Sequence, residues 1–281
     1  MAARSTDERL GMAPEALFVV GAIAQYAGAA IAIGLFDEVG PVGMAWLRGA
    51  SAALIIVCWR RSWRQQWSSD VIGLLLAFGV FTVGMNISFY LAAERLPLGN
   101  AVAIEFLGPI TVAAIGLRSA RNLGALALAA GGVLLLAQVE IGGEPLGVLF
   151  ALAAAALWAG HILLGARVAR SSTPSDALGV ALVLGSLTFL PVGLPAGWPA
   201  FSSAQLLSAA VVVGILSTAV PYLLDQVVFR QVDTRRFALL LAILPATATA
   251  VGWVALGQVP SVVETIGISA VIAAVALRER T

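Results

Sequence analysis

The sequence predicts an all-α integral membrane protein with ten transmembrane helices, arranged as two inverted repeats of five helices each. Its 281 residues are 60% hydrophobic and 11% charged, with a mean hydropathy of +0.98, whereas about a quarter of the residues in ordinary globular chains are charged. Apolar runs of about 18–25 residues recur along the chain, and each is long enough to cross a hydrocarbon core about 30 Å thick. Arginines alternate between the loops that connect these runs, which is the pattern of a membrane protein with several crossings.

Ten apolar runs define the predicted helices. Runs of this length are too long for barrel strands, and lipid requires the backbone polar groups to be satisfied within each helix. Residues 1–14 are polar and of mixed charge, so we predict a cytoplasmic N-terminal tail there. Further runs follow the first one, which indicates a first transmembrane helix rather than a cleaved signal peptide. The predicted helices lie near 15–36, 41–59, 71–93, 97–117, 121–138, 146–169, 175–195, 205–229, 235–256 and 260–278.

The distribution of basic residues orients the predicted helices. All sixteen basic residues are arginines, and fourteen of them fall in the two chain ends and the alternate loops that share one side. The opposite loops contain Arg95 alone, and Arg48 lies within the second predicted helix. Because cytoplasmic loops carry the excess of positive charge, this pattern places both chain ends in the cytoplasm and requires an even number of crossings.

The two halves of the chain resemble one another in sequence. An offset of 136 positions aligns Thr82 with Thr218 and Pro109 with Pro245. A second offset, of 132 positions, aligns the first predicted helix with the sixth. Because proline removes a backbone hydrogen bond, we also expect Pro109, Pro221 and Pro245 to kink their helices.

These offsets predict a first repeat over residues 15–138 and a second repeat over residues 146–278. A repeat of five helices forces its copy to cross the membrane in the opposite orientation. Inverted repeats are an architecture of secondary transporters, in which the binding site lies near mid-membrane between the two halves. The repeat is therefore the first indication of function.

A glutamate lies near the middle of the fourth predicted helix, in the segment AVAIEFLGPITVAAIGL at 101–117. A charge at the centre of a bilayer costs about 2.5–3.5 kcal/mol on insertion scales, so Glu105 is expected to face protein or water. Pro109 follows four residues later and lacks the N–H that would bond the carbonyl of residue 105. Two interpretations stay open: Glu105 binds a cationic amine or carries a proton in a cavity, or it is the buried partner of Arg48.

Three further ionisable side chains lie inside predicted helices, and a fourth, Glu264, lies near a helix end. Arg48 binds a substrate carboxylate, pairs with the glutamate, or extends its side chain to the membrane surface. His161, the one histidine of the chain, titrates near neutral pH and suits proton coupling, although a helix–helix hydrogen bond is the commoner role. Asp225 lies near the cytoplasmic end of the eighth predicted helix and shares a face with Pro221 and Tyr222, so it either lines a cavity or is solvated at the interface.

Uncharged polar and aromatic residues complete the candidate site. Asn86 and Tyr90 are i,i+4 neighbours on the third predicted helix, so they form a polar stripe that either joins helices or contacts a substrate. Gln25 and Tyr26 on the first predicted helix, with Trp158 on the sixth, supply amide and ring contacts or serve helix packing. These residues would face the same interior as the buried charges.

Composition excludes several other functions. The net charge of +1 comes without the clustered basic face that binding to nucleic acid needs. One cysteine, Cys58, and one histidine are too few for a zinc site of the usual kind or for an intramolecular disulfide. No HExxH, GxxxxGK[ST] or GxSxG motif occurs. We therefore expect neither an enzyme nor a bound cofactor or metal.

Two long segments of the sequence resemble a known family. The segments GMNISFYLAAERLPLGNAVAIEFLGPITVA (84–113) and ILSTAVPYLLDQVVFRQVDTRRFALLLAILPA (215–246) are similar to the drug/metabolite transporter superfamily, with its two EamA-type repeats of five helices. Within it they look most like the threonine and homoserine exporters of bacterial inner membranes. Shorter segments at 46–54 and 156–169 support the same resemblance, which covers nearly the whole chain in order and spacing.

The resemblance implies proton-driven export of small neutral amino acids by alternating access, through a cavity lined by helices of both repeats. Three positions depart from the pattern expected of the family. Asp225 stands in place of a glutamate, His161 in place of an aromatic residue such as tyrosine, and Leu244 in place of a glutamate before proline. The same residue types as in the family are expected at Gln25, Arg48, Asn86, Tyr90 and Glu105.

Two alternatives stay open beside this function. The first is an exporter of the same superfamily with a different cargo, such as an aromatic amino acid, a drug or another small amphipathic solute. The second is a membrane scaffold or sensor that carries no flux. In each case we expect a multi-pass protein of the bacterial inner membrane whose partners are the lipid bilayer and, for a transporter, a small solute.

Overall fold

The structure, a computed structural model, is helical in all of its regular elements within the residues that it describes. The all-α class predicted from the sequence is therefore confirmed for these residues. Most of the predicted N-terminal tail and several of the arginines that orient the chain lie outside them. The described residues are 14–116, 120–141, 144–168, 173–231 and 243–277.

The helices follow one another with short connections. A 3₁₀ turn at Ser62–Arg64 follows α3, another at Trp198–Ser202 follows α10, and a π turn at Ile215–Ala219 joins α11 to α12. In chain order the helices are α1 (Pro14–Ile33), α2 (Phe36–Val39), α3 (Pro41–Arg60), α4 (Ser69–Ala93), α5 (Leu98–Glu105), α6 (Leu107–Gly116), α7 (Ala120–Ile141), α8 (Pro145–Val168), α9 (Pro174–Thr188), α10 (Leu190–Gly197), α11 (Ala204–Gly214), α12 (Val220–Gln231), α13 (Ile243–Leu256) and α14 (Val262–Leu277).

Among the described residues, five helices are long and apolar enough to cross a membrane. The pair α9 and α10, bent by 80°, makes a sixth if it counts as one crossing. Shorter apolar helices of 10–17 residues lie where the fourth, fifth, ninth and tenth crossings are predicted. Every predicted range thus holds a helix, while ten full crossings stay a prediction. The five long helices are Ala16–Ile33, Pro41–Arg60, Ser69–Ala93, Pro145–Gly165 and Ala204–Asp225.

Prolines explain where several helices begin or break. Pro41 opens α3, where its missing N–H is one that needs no partner in the helix. The fourth predicted helix is divided between α5 and α6, three residues before Pro109. The π turn lies just before Pro221, and in it the N–H of Val220 donates to the carbonyl of Ile215, five residues back. Proline cannot donate such a bond, so the ladder must rearrange at these places.

The two halves of the chain interlock through pairs of helices. α4 packs along α8 and α9, α1 packs along α11 and α12, and α7 packs along α14. Glycines permit the closest approach: a Cβ added at Gly79 in α4 would overlap the carbonyl oxygen of Ala181 in α9, and one added at Gly185 would overlap that of Gly79. Small residues are typical of such contacts because helices in lipid associate through close van der Waals packing rather than through the hydrophobic effect.

Apolar side chains occupy the interior and also much of the outer surface. Met44, Leu98 and Phe106 are fully buried, whereas Leu54 is exposed and Val254 is 85% exposed. Soluble proteins rarely expose so many large apolar side chains, so these outer residues are the ones that lipid would cover. The polar groups described next lie inside this packing.

Candidate functional site

Glu105 is the last residue of α5, and its side chain is only 8% exposed. Its backbone carbonyl lacks the usual helical donor because Pro109 has no N–H. No N–H or O–H group of the described residues donates a hydrogen bond to the carboxylate. The guanidinium of Arg48 attracts this carboxylate through space, but among the described side chains the two form no ion pair. The carboxylate therefore retains its capacity to accept hydrogen bonds.

Arg48 joins the two halves of the chain. It lies on α3 and is 3% exposed. Its Nε donates to Oγ1 of Thr218 at 2.7 Å, and its Nη2 donates to the carbonyl oxygen of Ser217 at 2.7 Å. Its Cζ lies 5.2 Å from the ring centroid of Tyr90, within cation–π range. A buried cation needs such acceptors, because an isolated charge away from water is costly.

The π turn Ile215–Ala219 supplies both acceptors to Arg48. Its Ser217 also reaches the first helix, since Oγ of Ser217 donates to the carbonyl of Gln25 at 3.1 Å. A Cβ added at Gly28 would overlap this hydroxyl, so α1 can approach the turn only with glycine at that position. The turn is thus in contact with α1 and α3 at once.

Asn86 and Tyr90 bring unused polar groups to the same region. Both side chains are buried on one face of α4. Within the described residues neither Nδ2 of Asn86 nor the hydroxyl of Tyr90 has a hydrogen-bond partner of normal geometry, although Asn86 interacts with Tyr222 and Tyr90 interacts with Arg48. A buried polar group without a partner costs about 1–3 kcal/mol, so such groups in a native interior call for an explanation. A bound polar solute would supply the missing partners.

His161 on α8 bonds across to α4. Its Nδ1 lies 2.8 Å from Oγ1 of Thr82, and the same hydroxyl donates to the carbonyl oxygen of Phe78 at 2.7 Å. Because a hydroxyl has one hydrogen, both bonds form only if Nδ1 of His161 is the donor to Thr82. The imidazole also stacks on the ring of Phe78, 4.7 Å between centroids, and the ring of Tyr222 lies 5.9 Å away.

The remaining predicted aromatic residues are placed around this cluster. Tyr26 is buried in α1 and interacts electrostatically with both Glu105 and Arg48. Trp158 on α8 meets the ring of Phe106 edge-on, with centroids 5.0 Å apart, next to the carboxylate-bearing residue. These residues are brought together with the buried charges.

Three other predicted residues lie on α12 and α13. Asp225 is half-buried on α12, where its carboxylate interacts electrostatically with Tyr222. Pro245 is buried near the start of α13, and its carbonyl accepts a hydrogen bond from Thr249 at 2.8 Å. Leu244 beside it is buried as well, so an apolar side chain occupies the place where the family pattern would put a carboxylate.

Sequence reasoning missed Ser217 and Thr218 as site residues. Thr218 drew attention only as the repeat counterpart of Thr82. A signal was available, because Pro221 stands four residues after Ser217 and must leave its carbonyl without the usual helical donor. The same argument was applied to Pro109 and Glu105 alone.

Two contacts between the halves lie at opposite ends of the helices and away from the buried cluster. At one end Asp176, in the first turn of α9, accepts hydrogen bonds from Ser62 and Arg60. At the other end Nδ2 of Asn100 in α5 donates to Glu264, whose carboxylate also caps the start of α14. In the described part of the chain no three side chains of the metal-ligating types lie close enough to hold an ion.

Comparison with known proteins identifies the class to which this arrangement belongs. The profile of the EamA-like transporter family matches residues 145–278. A solved crystal structure superposes with a TM-score of 0.63 at 22% identity, covering 95% of this chain and 98% of the other, and so has the same fold. The family match covers the second half of the chain, and the superposition shows that the fold is shared over nearly its whole length.

Two curated relatives narrow the class. The threonine/homoserine exporter RhtA of Escherichia coli K12 is 33% identical over 264 residues, which cover 93% of this chain and 89% of the exporter. The exporter of the same name from Salmonella typhimurium LT2 is 33% identical over 250 residues, covering 88% and 84%. The chain therefore belongs to the EamA-like transporter family, as its sequence resemblance predicts. Its relatives are transporters rather than enzymes.

Proposed function

We propose that the protein exports small neutral amino acids of the threonine and homoserine type across the bacterial inner membrane, driven by the proton gradient. The single observation that carries this proposal is the 33% identity to a threonine/homoserine exporter over 93% of the chain. The similarity extends over both halves and therefore includes the buried polar cluster that joins them. Export by alternating access would expose this cluster to each side of the membrane in turn.

The proposed architecture has ten transmembrane helices in two inverted repeats, residues 15–138 and 146–278, with both chain ends in the cytoplasm. The arginine distribution supports the orientation. The packing supports the repeat: α4 with α8 pairs the third and sixth predicted helices, and α1 with α11 and α12 pairs the first and eighth. In a repeat of five helices the third corresponds to the eighth and the sixth to the first. Each of these two pairings is therefore the counterpart of the other.

The chemistry of the cluster fits a zwitterion. Arg48, Asn86 and Tyr90 offer N–H and O–H donors for a carboxylate. Within the described residues, Nδ2 of Asn86 and the hydroxyl of Tyr90 make no hydrogen bond of normal geometry. Glu105 offers an acceptor for an ammonium group. In this proposal the solute lies between these groups and satisfies polar atoms that the described residues leave unpaired.

Proton coupling is proposed for Glu105, with His161 as a secondary group. A carboxylate that holds either a proton or the ammonium of the solute makes the two compete, which links the movement of one to the counter-movement of the other. His161 is joined to Thr82 on a neighbouring helix, so a change in its protonation would be felt at the contact between the halves. Asp225 is a further candidate, since it interacts with Tyr222 beside the imidazole.

A different cargo is the second candidate function, and three positions favour it. His161 stands where the family pattern has an aromatic residue, Asp225 is shorter than the expected glutamate, and Leu244 is apolar and buried where a carboxylate is expected. These changes alter the size and charge of the surroundings of the site. The residues of this chain therefore suit a larger or more apolar solute than the residues of the family pattern would.

Efflux from liposomes that contain only the purified protein tests the proposal. Vesicles loaded with radiolabelled threonine should release it in a protein-dependent manner, faster when the exterior is acidic, and external homoserine should exchange with it. Release of aromatic or amphipathic solutes in place of threonine would support the second candidate function, export of a different cargo. Absence of any solute flux would contradict export and leave a scaffold or sensor.

A further inference from the structure

The pair of acceptors that hold Arg48 depends on a proline three residues beyond Thr218. In a regular helix the N–H of residue 221 would donate to the carbonyl of Ser217. Pro221 has no N–H, and the ladder widens at this point so that Val220 bonds to Ile215 instead. The carbonyl of Ser217 is thereby available to a donor from another helix, and Nη2 of Arg48 takes it at 2.7 Å.

The hydroxyl of Thr218 completes the attachment. Nε of Arg48 donates to its Oγ1 at 2.7 Å, so two adjacent N–H groups on one edge of the planar guanidinium are fixed by two adjacent residues of the π turn. A guanidinium has five N–H groups in a rigid fork. Within the described residues the remaining three make no hydrogen bond of normal geometry. The guanidinium also interacts with the Tyr90 side chain, and its Cζ lies 5.2 Å from the centroid of that ring.

We infer that Thr218 and Pro221 are positioning residues for Arg48: the hydroxyl and the proline-released carbonyl hold one edge of the guanidinium and leave its other edge to bind the carboxylate of the solute. This inference rests on the proposed function, and it adds the reason why an arginine in α3 needs the π turn of the other half. Two fixed bonds remove rotational freedom that a flexible arginine would lose on binding.

Variants of the two positions separate this role from a structural one. In Thr218→Val the side chain keeps its shape but Nε of Arg48 loses its acceptor, so affinity for threonine should fall about tenfold. Thr218→Ser restores the hydroxyl and should restore the affinity. Affinity for threonine amide, which has no carboxylate, should be the same in all three proteins. Thr188→Val is the matched control, because this exposed hydroxyl bonds only to Leu184 of its own helix.

Pro221→Ala gives a prediction that loss of folding cannot imitate. Alanine restores an N–H that competes with Arg48 for the carbonyl of Ser217, so affinity for threonine should fall several-fold. The same N–H adds a helical hydrogen bond, so the melting temperature should stay the same or rise. Pro195→Ala, at an exposed proline inside α10, is the control that should change stability without changing affinity.

Binding to the purified protein in detergent, measured with threonine and threonine amide, decides between the outcomes. Wild-type affinity for threonine in both Thr218→Val and Pro221→Ala would overturn the inference, and so would an equal loss for threonine and its amide. If the wild type binds neither ligand, the proposed cargo is wrong. The attachment of Arg48 is then tested by the stability of the ligand-free protein. In that case the melting temperatures of Arg48→Lys, Thr218→Val and the double variant should be non-additive, whereas additive changes would overturn the attachment itself.

Discussion

Asp176 is a buried carboxylate whose two oxygens both accept hydrogen bonds. It is 2% exposed in the first turn of α9. Its Oδ1 accepts from the hydroxyl of Ser62 at 3.0 Å, and its Oδ2 accepts from Nη2 of Arg60 at 3.1 Å. A carboxylate in the first turn of a helix also interacts favourably with the helix dipole. The residue therefore ties the segment after α3 to the start of α9 in the other half.

Replacement of Asp176 should cost stability in proportion to the acceptors that it removes. Asp176→Ala leaves the hydroxyl of Ser62, which is fully buried, without an acceptor, so the free energy of unfolding should fall by about 1–3 kcal/mol. Asp176→Asn keeps Oδ1 as the acceptor for Ser62 but replaces Oδ2 with an NH2 group that cannot accept from Arg60, so the pair with Arg60 is lost. Because Arg60 is 38% exposed, that loss should be about 0–1 kcal/mol.

Unfolding in detergent, followed by circular dichroism, measures this difference. Asp70→Ala is the control, since Asp70 also lies in the first turn of a helix but is exposed to solvent. Equal stability of Asp176→Ala and Asp70→Ala would contradict the importance assigned to the buried hydrogen bonds.

Single buried charges can be found from sequence, but their partners cannot. Glu105 and Arg48 stand out because ionisable residues are rare in apolar runs. The acceptors of Arg48 are 169 and 170 residues further along the chain. No local pattern connects them, since Ser217 and Thr218 are ordinary small polar residues. Only the packing of α3 against the π turn makes them part of the site.

Helix breaks can be located from proline positions, although their angles cannot. Pro109 stands just after the division between α5 and α6, and Pro221 just after the π turn. The 80° bend between α9 and α10 lies just before Pro191, in a run that the hydropathy pattern treats as a single span. Proline explains why a hydrogen bond is missing at such places, but the direction of the chain afterwards depends on what the next helix packs against.

Gly79 should be indispensable to the contact between α4 and α9. Gly79→Ala would place a methyl group against the carbonyl oxygen of Ala181, and overpacking of this kind costs about 1–3 kcal/mol. Gly73 lies on the same helix with no atom within 4 Å of the added Cβ. Gly73→Ala should therefore be neutral or stabilise by up to about 1 kcal/mol, since alanine favours the helix.

Melting temperatures of the two glycine variants in detergent test this packing. The helix propensity gained is the same in both, so the comparison isolates the interhelical contact. If Gly79→Ala has the same melting temperature as Gly73→Ala, or a higher one than the wild type, α4 and α9 do not approach as closely as described.

At the scale of the whole molecule, composition and arginine placement predict the class and orientation, and the packing of the halves accounts for the site. Uniformly apolar spans carry no stripe that distinguishes the interior face from the lipid face. For that reason the sequence could not decide whether Asn86 and Tyr90 face the buried charges, which depends on the rotation of α4. The structure places both side chains in the interior, with the ring of Tyr90 5.2 Å from Cζ of Arg48 and Asn86 in contact with Tyr222.

The central claim is that the buried carboxylate of Glu105, between the two halves, couples solute export to the proton gradient. Glu105→Gln removes the proton-binding group while keeping the shape of the side chain and one acceptor oxygen, so it resembles the protonated acid. Glu94→Gln, in a partly exposed surface pair with Arg95, is the matched control. Neither change should prevent folding, so the variants can be compared in the same liposomes.

Threonine efflux from these liposomes, with and without an acidic exterior, is the most direct measurement. The wild type and Glu94→Gln should accelerate when the exterior is acidified, and the threonine concentration ratio that they sustain should rise by up to about tenfold for each 1.4 kcal/mol of gradient that is coupled. Glu105→Gln should exchange threonine at equilibrium but show no acceleration by the gradient. Wild-type acceleration in Glu105→Gln would contradict the claim.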